Sequence, residues 1–247
     1  MEKNILEICC FNLESTQIAA EAGADRIELC GDPAAGGTTP GIGLIKSVRK
    51  KIEIELYPII RIRGGDFLFS EEEFDIMLHE VEACKSAGCE GVVIGMLLPD
   101  GRVDKKNSSR LVEKAYPMGV CFHRAFDWTR NPFEALEDVI SIGCERILTS
   151  GQQPTAILGA PLIKDLVVKA DGRIQIMPGS GVRAENITDL KNETGATQFH
   201  SSARISRKSS MEFIQPFMLE DLSVVMADRG EVEGMVLKIR EFGNSRI

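Results

Sequence analysis

The chain has 247 residues, 43% of them hydrophobic, which suffices for one large core without a second domain. Its formal net charge is -8 and it has no basic run, which argues against nucleic acid or an anionic membrane as partner, because both want a face rich in Lys and Arg. The longest apolar stretch, around 91–98, is far short of the roughly 20 residues a membrane span needs, and MEKNILEI lacks the apolar core of a signal peptide; with seven cysteines and no C-x-x-C pair, the reading is a cytosolic protein with reduced thiols.

In chain order, strand and helix patterns alternate. The first strand candidate is ILEICC from Ile5, followed by a helix over 15–22. The phrase AGADRIELC then supplies a small residue, a glycine and a short β-type run, and it recurs as AGCEGVVIG, IGCERILTS and TGATQFHSS. Their glycines, Gly23, Gly88, Gly143 and Gly195, each stand where a helix stops in the left-handed conformation. A Gly/Thr/Pro-rich connection over 31–41 leads to a helix over 42–50 and the strand LYPIIRI from Leu56. The helix over 71–86 has the clearest start, a capping box of Ser70 and Glu73. Helices over 106–115, 132–142, 162–169 and 184–193 alternate with the strands GVCFHRAF from Gly119 and RIQIMP from Arg173 and with the recurring phrases, and EVEGMVLKIREFG suits a closing helix. Eight strand-then-helix units predict an α/β chain folded as a (β/α)8 TIM barrel, one domain over 1–247 with a longer C-terminal segment at about 205–247. Within it, the connection over 206–228 carries Phe213, Phe217, Met218 and Leu219 and suits a lid or a subunit contact.

Residues two apart on a strand share a face. Glu7 pairs this way with Cys9, Glu28 with Cys30, and Arg61 with Arg63, while Cys121, His123, Ala125 and Asp127 share a face of the fifth strand. A buried parallel strand normally reads as an unbroken apolar run, so these charges need partners, and Glu7 and Glu28 are expected near Arg61 and Arg63. Two readings stand open: a structural ion-pair layer in the barrel, or a polar pocket at the C-terminal strand ends with arginine forks for a carboxylate or phosphate. In the second, Arg61, Arg63 and the turn Gly179, Ser180 and Gly181, beside His200, hold a small anionic metabolite, while Glu7, Glu28, His123 or Asp127 supply acid and base for a TIM-barrel enzyme of unknown reaction. Most of the cysteines read as small buried hydrophobes. Cys9 and Cys30 end adjacent strands beside buried glutamates, where two thiolates suit a soft ion such as Cu(I). No strand ends in a Schiff-base lysine, and G-x-S-x-G and the P-loop are absent.

The ordered motifs EICC, ADRIELC, GGTTPGIG, IRIRGGDF, HRAFD, RILTSGQ, MPGSGV and FHSSAR resemble the copper-homeostasis family called CutC, from about Leu6 to Arg204. The resemblance implies a TIM barrel, a cytoplasmic protein with a role in copper tolerance or trafficking, and assembly as a homodimer or higher homo-oligomer. It also implies Cu(I) binding by the cysteines matching Cys9 and Cys30. Ile62 stands where the motif carries proline, Ser201 where glycine follows the histidine, and Cys10 is an extra thiol whose parity turns it away from Cys9.

Overall fold

The computed structural model describes residues 4–241. Eight short parallel strands, β1 (Ile5–Cys10), β2 (Arg26–Leu29), β3 (Glu55–Pro58), β4 (Gly91–Ile94), β5 (Gly119–Phe122), β6 (Arg146–Thr149), β7 (Gln175–Pro178) and β8 (Gln198–Ser201), alternate with helices α1 (Leu13–Glu21), α2 (Ile42–Arg49), α3 (Glu71–Ser86), α4 (Lys105–Ala115), α5 (Pro132–Ser141), α6 (Ala160–Ala170) and α7 (Ile187–Thr194). After an antiparallel hairpin, β9 (Arg204–Arg207) and β10 (Val224–Ala227), helix α8 (Arg229–Glu241) closes the ring; the end of the expected closing segment, Phe242 and Gly243, lies outside the described residues. The helix stops fall where glycine makes them cheap: Gly23, Gly88, Gly143 and Gly195 have φ of 95, 81, 89 and 73°. Ser70 and Glu73 form the capping box at the head of α3.

The strands form two ladders, β3-β2-β1-β8 and β4-β5-β6-β7, joined on one side by a parallel bridge between Ile59 and Val93. On the other side β7 and β8 pack together without a ladder, and side chains tie them instead. Thr197 Oγ1 meets Gln175 Oε1 at 3.3 Å, and Ser201 Oγ donates to the Val182 carbonyl at 2.7 Å while accepting from Ala203 N. Ser201 thus ties the ends of β7 and β8 across a seam that carries no ladder.

Helices and outward strand faces make the main core, while a second cluster fills the barrel itself: Cys9, Cys30, Tyr57, Ile59, Val93, Cys121, Leu148 and Met177. Cys10 lies in the outer core, as its parity requires, and all seven cysteines are buried and free. Tyr57 lies across Gly91 and Gly119: a Cβ on Gly91 would sit 1.9 Å from the tyrosine ring, and one on Gly119 2.5 Å from its hydroxyl. Two neighbouring strands therefore carry glycine so that one large ring can plug the barrel.

Two expectations need correction. The fifth strand stops at Phe122 and turns into a 3-10 helix over Arg124–Trp128, so strand parity does not carry Asp127 to the inner face. The connection over 206–228 is partly ordered as the hairpin, and its tip exposes Phe213, Phe217, Met218 and Leu219.

Candidate functional site at the barrel mouth

Strand register builds the site in two layers. Glu7 stands opposite Arg26 of β2 and His200 of β8, and Cys9, one pleat higher, opposite Glu28. In the lower layer Arg26 approaches Glu7 Oε2 at 3.4 Å and donates from Nε to Glu55 Oε2 at 2.7 Å. The Tyr57 ring meets two guanidiniums, with the Arg26 carbon 5.2 Å and the Arg146 carbon 4.4 Å from its centroid. Such a layer closes the barrel floor with cations, π face and carboxylate rather than hydrocarbon. Arg146 lies 2.7 Å from Glu145 Oε1, but off the direction of a hydrogen bond, so its Nε and that Nη are orphaned.

His200 links the layers. Its Nδ1 is 2.7 Å from Glu7 Oε1 and its Nε2 3.7 Å from Glu28 Oε2. Although burial works against its charge, hydrogen bonds to Cys9 and Glu7 and the two carboxylates push its pKa well up. Burial alone would raise Glu7, yet the His200 hydrogen bond and charge, with Arg26 and Arg146 behind, hold it at about 2. Desolvation and the negative charge of Cys9 keep Glu28 protonated well above the usual carboxylate range.

Above them the Cys9 and Cys30 sulfurs are 3.5 Å apart. The hydrogen bond from Cys30, outweighing the cost of burial and helped by His200, lowers Cys9 to about 6, and the same contact raises Cys30 well above its normal range. Of the two, Cys9 is therefore the sulfur that ionises more readily and Cys30 the one that holds its proton. Cys9, Glu28 and Cys30 form a group whose ligand atoms lie within 4.8 Å of one another. With Glu28 holding its proton, the donors left are two sulfurs, a set suited to a soft ion that accepts few ligands.

This corner floors a cavity of about 880 Å³ whose wall includes Cys9, Glu28, Arg61, His123 and His200. A family model described as the CutC family matches residues 4–205. The chain belongs to the CutC family. A family protein CutC from Parabacteroides distasonis is 51% identical over 214 residues, covering 85% of this chain and 87% of that protein. The copper homeostasis protein cutC homolog of Homo sapiens is 43% identical over 209 residues, covering 85% and 77%. A CutC structure from Streptococcus agalactiae superposes with a TM-score of 0.77 at 31% identity, covering 81% of this chain and 98% of that one. An aldolase at 14% identity, TM-score 0.60, shares the fold alone. The arm and closing helix beyond residue 205 fall outside the family match.

Arg61 and Arg63 do not pair with Glu7 and Glu28, because β3 ends at Pro58 and the chain beyond it follows the loops rather than the pleat. Arg61 lines the cavity and donates to the carbonyls of Ala35, Gly37 and Gly65, pinning the loops after β2 and β3 over the mouth. Arg63 lies outside the wall, bound to Glu73 at 2.6 Å and Asp66 at 3.0 Å and to the Leu68 carbonyl. Glu7 is sealed below in the ion layer. Asp127 is also off the wall: it accepts from Arg124 Nε and from the Thr149 and Ser150 hydroxyls, locking the end of β6. Ser180, Gly181 and His200 reach the cavity, whereas Gly179 is not on its wall, and a Cβ there would sit 2.4 Å from Leu148 and 3.3 Å from His200. Sequence reasoning passed over Arg26, the partner Glu7 has, although it shares the parity of Glu28. It also passed over Arg183 and Arg204, which stand beyond strand ends in the MPGSGVRAEN and FHSSAR stretches and line the mouth.

Proposed function

We propose that this CutC-family protein acts in cytosolic copper homeostasis by holding one Cu(I) between Cys9 and Cys30 at the barrel mouth. The observation that carries the reading is the pair of buried sulfurs 3.5 Å apart, with Cys9 held toward its thiolate by Cys30 and His200 and Glu28 held toward its neutral acid by burial. Copper is cargo here. Cys9 accepts it first, Cys30 gives up its proton as the second sulfur binds, and the His200 imidazolium offsets the negative charge of a cuprous ion held by two thiolates. Glu28, neutral, adds no third negative donor of the kind that harder divalent ions want. Cys30 is buried at 1% exposure, while Cys9 lines the cavity through which the ion would enter.

Competition of the reduced protein against a Cu(I) chelator of known affinity tests this. Wild type binds one ion tightly, while Cys9→Ser and Cys30→Ser each lose that binding with the fold intact by circular dichroism. Tight one-to-one binding retained by the double variant refutes it.

A further inference from the structure

The cavity above the thiols is far larger than an ion, and its wall has features that copper binding does not use. Three arginines on it, Arg61, Arg183 and Arg204, have no carboxylate within ion-pair distance among the described residues, in a chain of net charge -8. Arg61 is buried to 6% exposure and its Nε has no partner. His123, at 4% exposure, accepts at Nδ1 from Ala125 N at 3.1 Å, which places its proton on Nε2, and that N–H is also unpartnered. A buried donor left unpaired costs about 1–3 kcal/mol, so these two, on side chains that line the cavity, are donors a ligand oxygen would satisfy once the wall adjusts around it. Phe67 and Leu148 supply apolar wall, Asp66 and Glu28 are the carboxyl side chains on it, and the chain's single tryptophan, Trp128, lies at its rim 72% exposed.

We propose that this cavity is a binding site for a small organic oxyanion, a phosphate or carboxylate on a planar or apolar body. The oxyanion sits against the Arg183 and Arg204 corner between the ends of β7 and β8, the body lies beneath Trp128, and a further oxygen accepts from His123 Nε2. Guanidinium forks suit either phosphate or carboxylate, and a flat apolar body explains an indole held out at the rim. The site adjoins the copper pair but does not depend on it.

Titration of the full chain with phenyl phosphate, benzoate and benzyl alcohol tests the proposal, read by Trp128 fluorescence and by calorimetry. Saturable binding of phenyl phosphate assigns a phosphate site and saturable binding of benzoate a carboxylate site. In either case benzyl alcohol binds at least about tenfold more weakly, ~1.4 kcal/mol. Arg183→Gln with Arg204→Gln, both outside the core, weakens the anion at least about tenfold while leaving the melting temperature in place. His123→Asn, which keeps an acceptor for Ala125 N but removes the Nε2 donor, weakens it as well. Benzyl alcohol binding as tightly as the anions, no saturable binding of either anion, or anion affinity unchanged in the Arg pair and in His123→Asn would each overturn it.

Discussion

Cys9 and His123 line one cavity and both are pushed toward their deprotonated forms, for different reasons. Cys9 gains a donor in Cys30 and a cation in His200, and so becomes an anion near pH 6. His123 is desolvated and faces Arg61, so its pKa falls to about 3 and it stays neutral. The unfolded chain takes up the His123 proton near pH 6.5 and the folded chain only near 3, so stability falls as pH drops below about 6.5. At pH 5 this one group costs about 2 kcal/mol relative to neutral pH. Urea melts at pH 7 and 5 should show the loss in wild type and a shallower loss in His123→Asn; equal slopes would remove the assignment. Cys9 and Glu28 were legible because they lie on strands, where a period of two fixes the face, and Cys30 because it directly follows β2 and keeps its parity. Asp127 was not, since a 3-10 turn begins after His123 and that period ends with it.

At the scale of elements, the strand-helix alternation was readable because a helix must stop before a strand can start, and the four glycines with positive φ do the stopping. Side-chain packing across strands was less so. Nothing in GVVI or GVCF announces that both leading glycines make room for a tyrosine from β3. Gly91→Ala pushes a methyl into that ring in a barrel with no slack, and the expected loss is about 3 kcal/mol in chemical denaturation. A loss below about 0.5 kcal/mol, the range of ordinary surface changes, would show that Tyr57 can move aside. The partners of Glu7 were misread for a related reason. The chain after β3 folds into loops, so Arg61 clamps backbone carbonyls while Arg26 and His200, in register on β2 and β8, hold the carboxylate.

In the whole molecule, the base of the arm is tied to the barrel, Arg207 pairing with Glu14 of α1 and Asn12 donating to the Val225 carbonyl, while its tip stands exposed. Side chains at the arm's tip are exposed, Phe217 at 90% and Leu219 at 96%, and none of residues 206–223 belongs to the cavity wall, so the arm is not closed over the mouth as a lid. Among the described residues no helix is long and apolar enough to cross a membrane. Arg207 and Val224 are paired across the hairpin, so an Asn-Gly turn can replace 208–223 directly. Stability should stay within about 0.5 kcal/mol by urea denaturation, and a larger loss would show that residues 208–223 pack on the barrel or on a second copy of the chain. The sequence exposed this segment as too long and too apolar for a simple connection, but a hairpin needs both strands to be seen, and RISR alternates no hydrophobic face. The barrel mouth is where residue, element and topology converge, with β1 and β2 bringing two sulfurs together and β8 delivering the histidine beside them. X-ray absorption at the copper edge of the Cu(I)-loaded, reduced chain examines that convergence most directly. Two sulfur neighbours and no nitrogen or oxygen, lost in Cys9→Ser, is the expected result; a shell of nitrogen or oxygen ligands, or a spectrum unchanged by Cys9→Ser, would contradict the thiol-pair site.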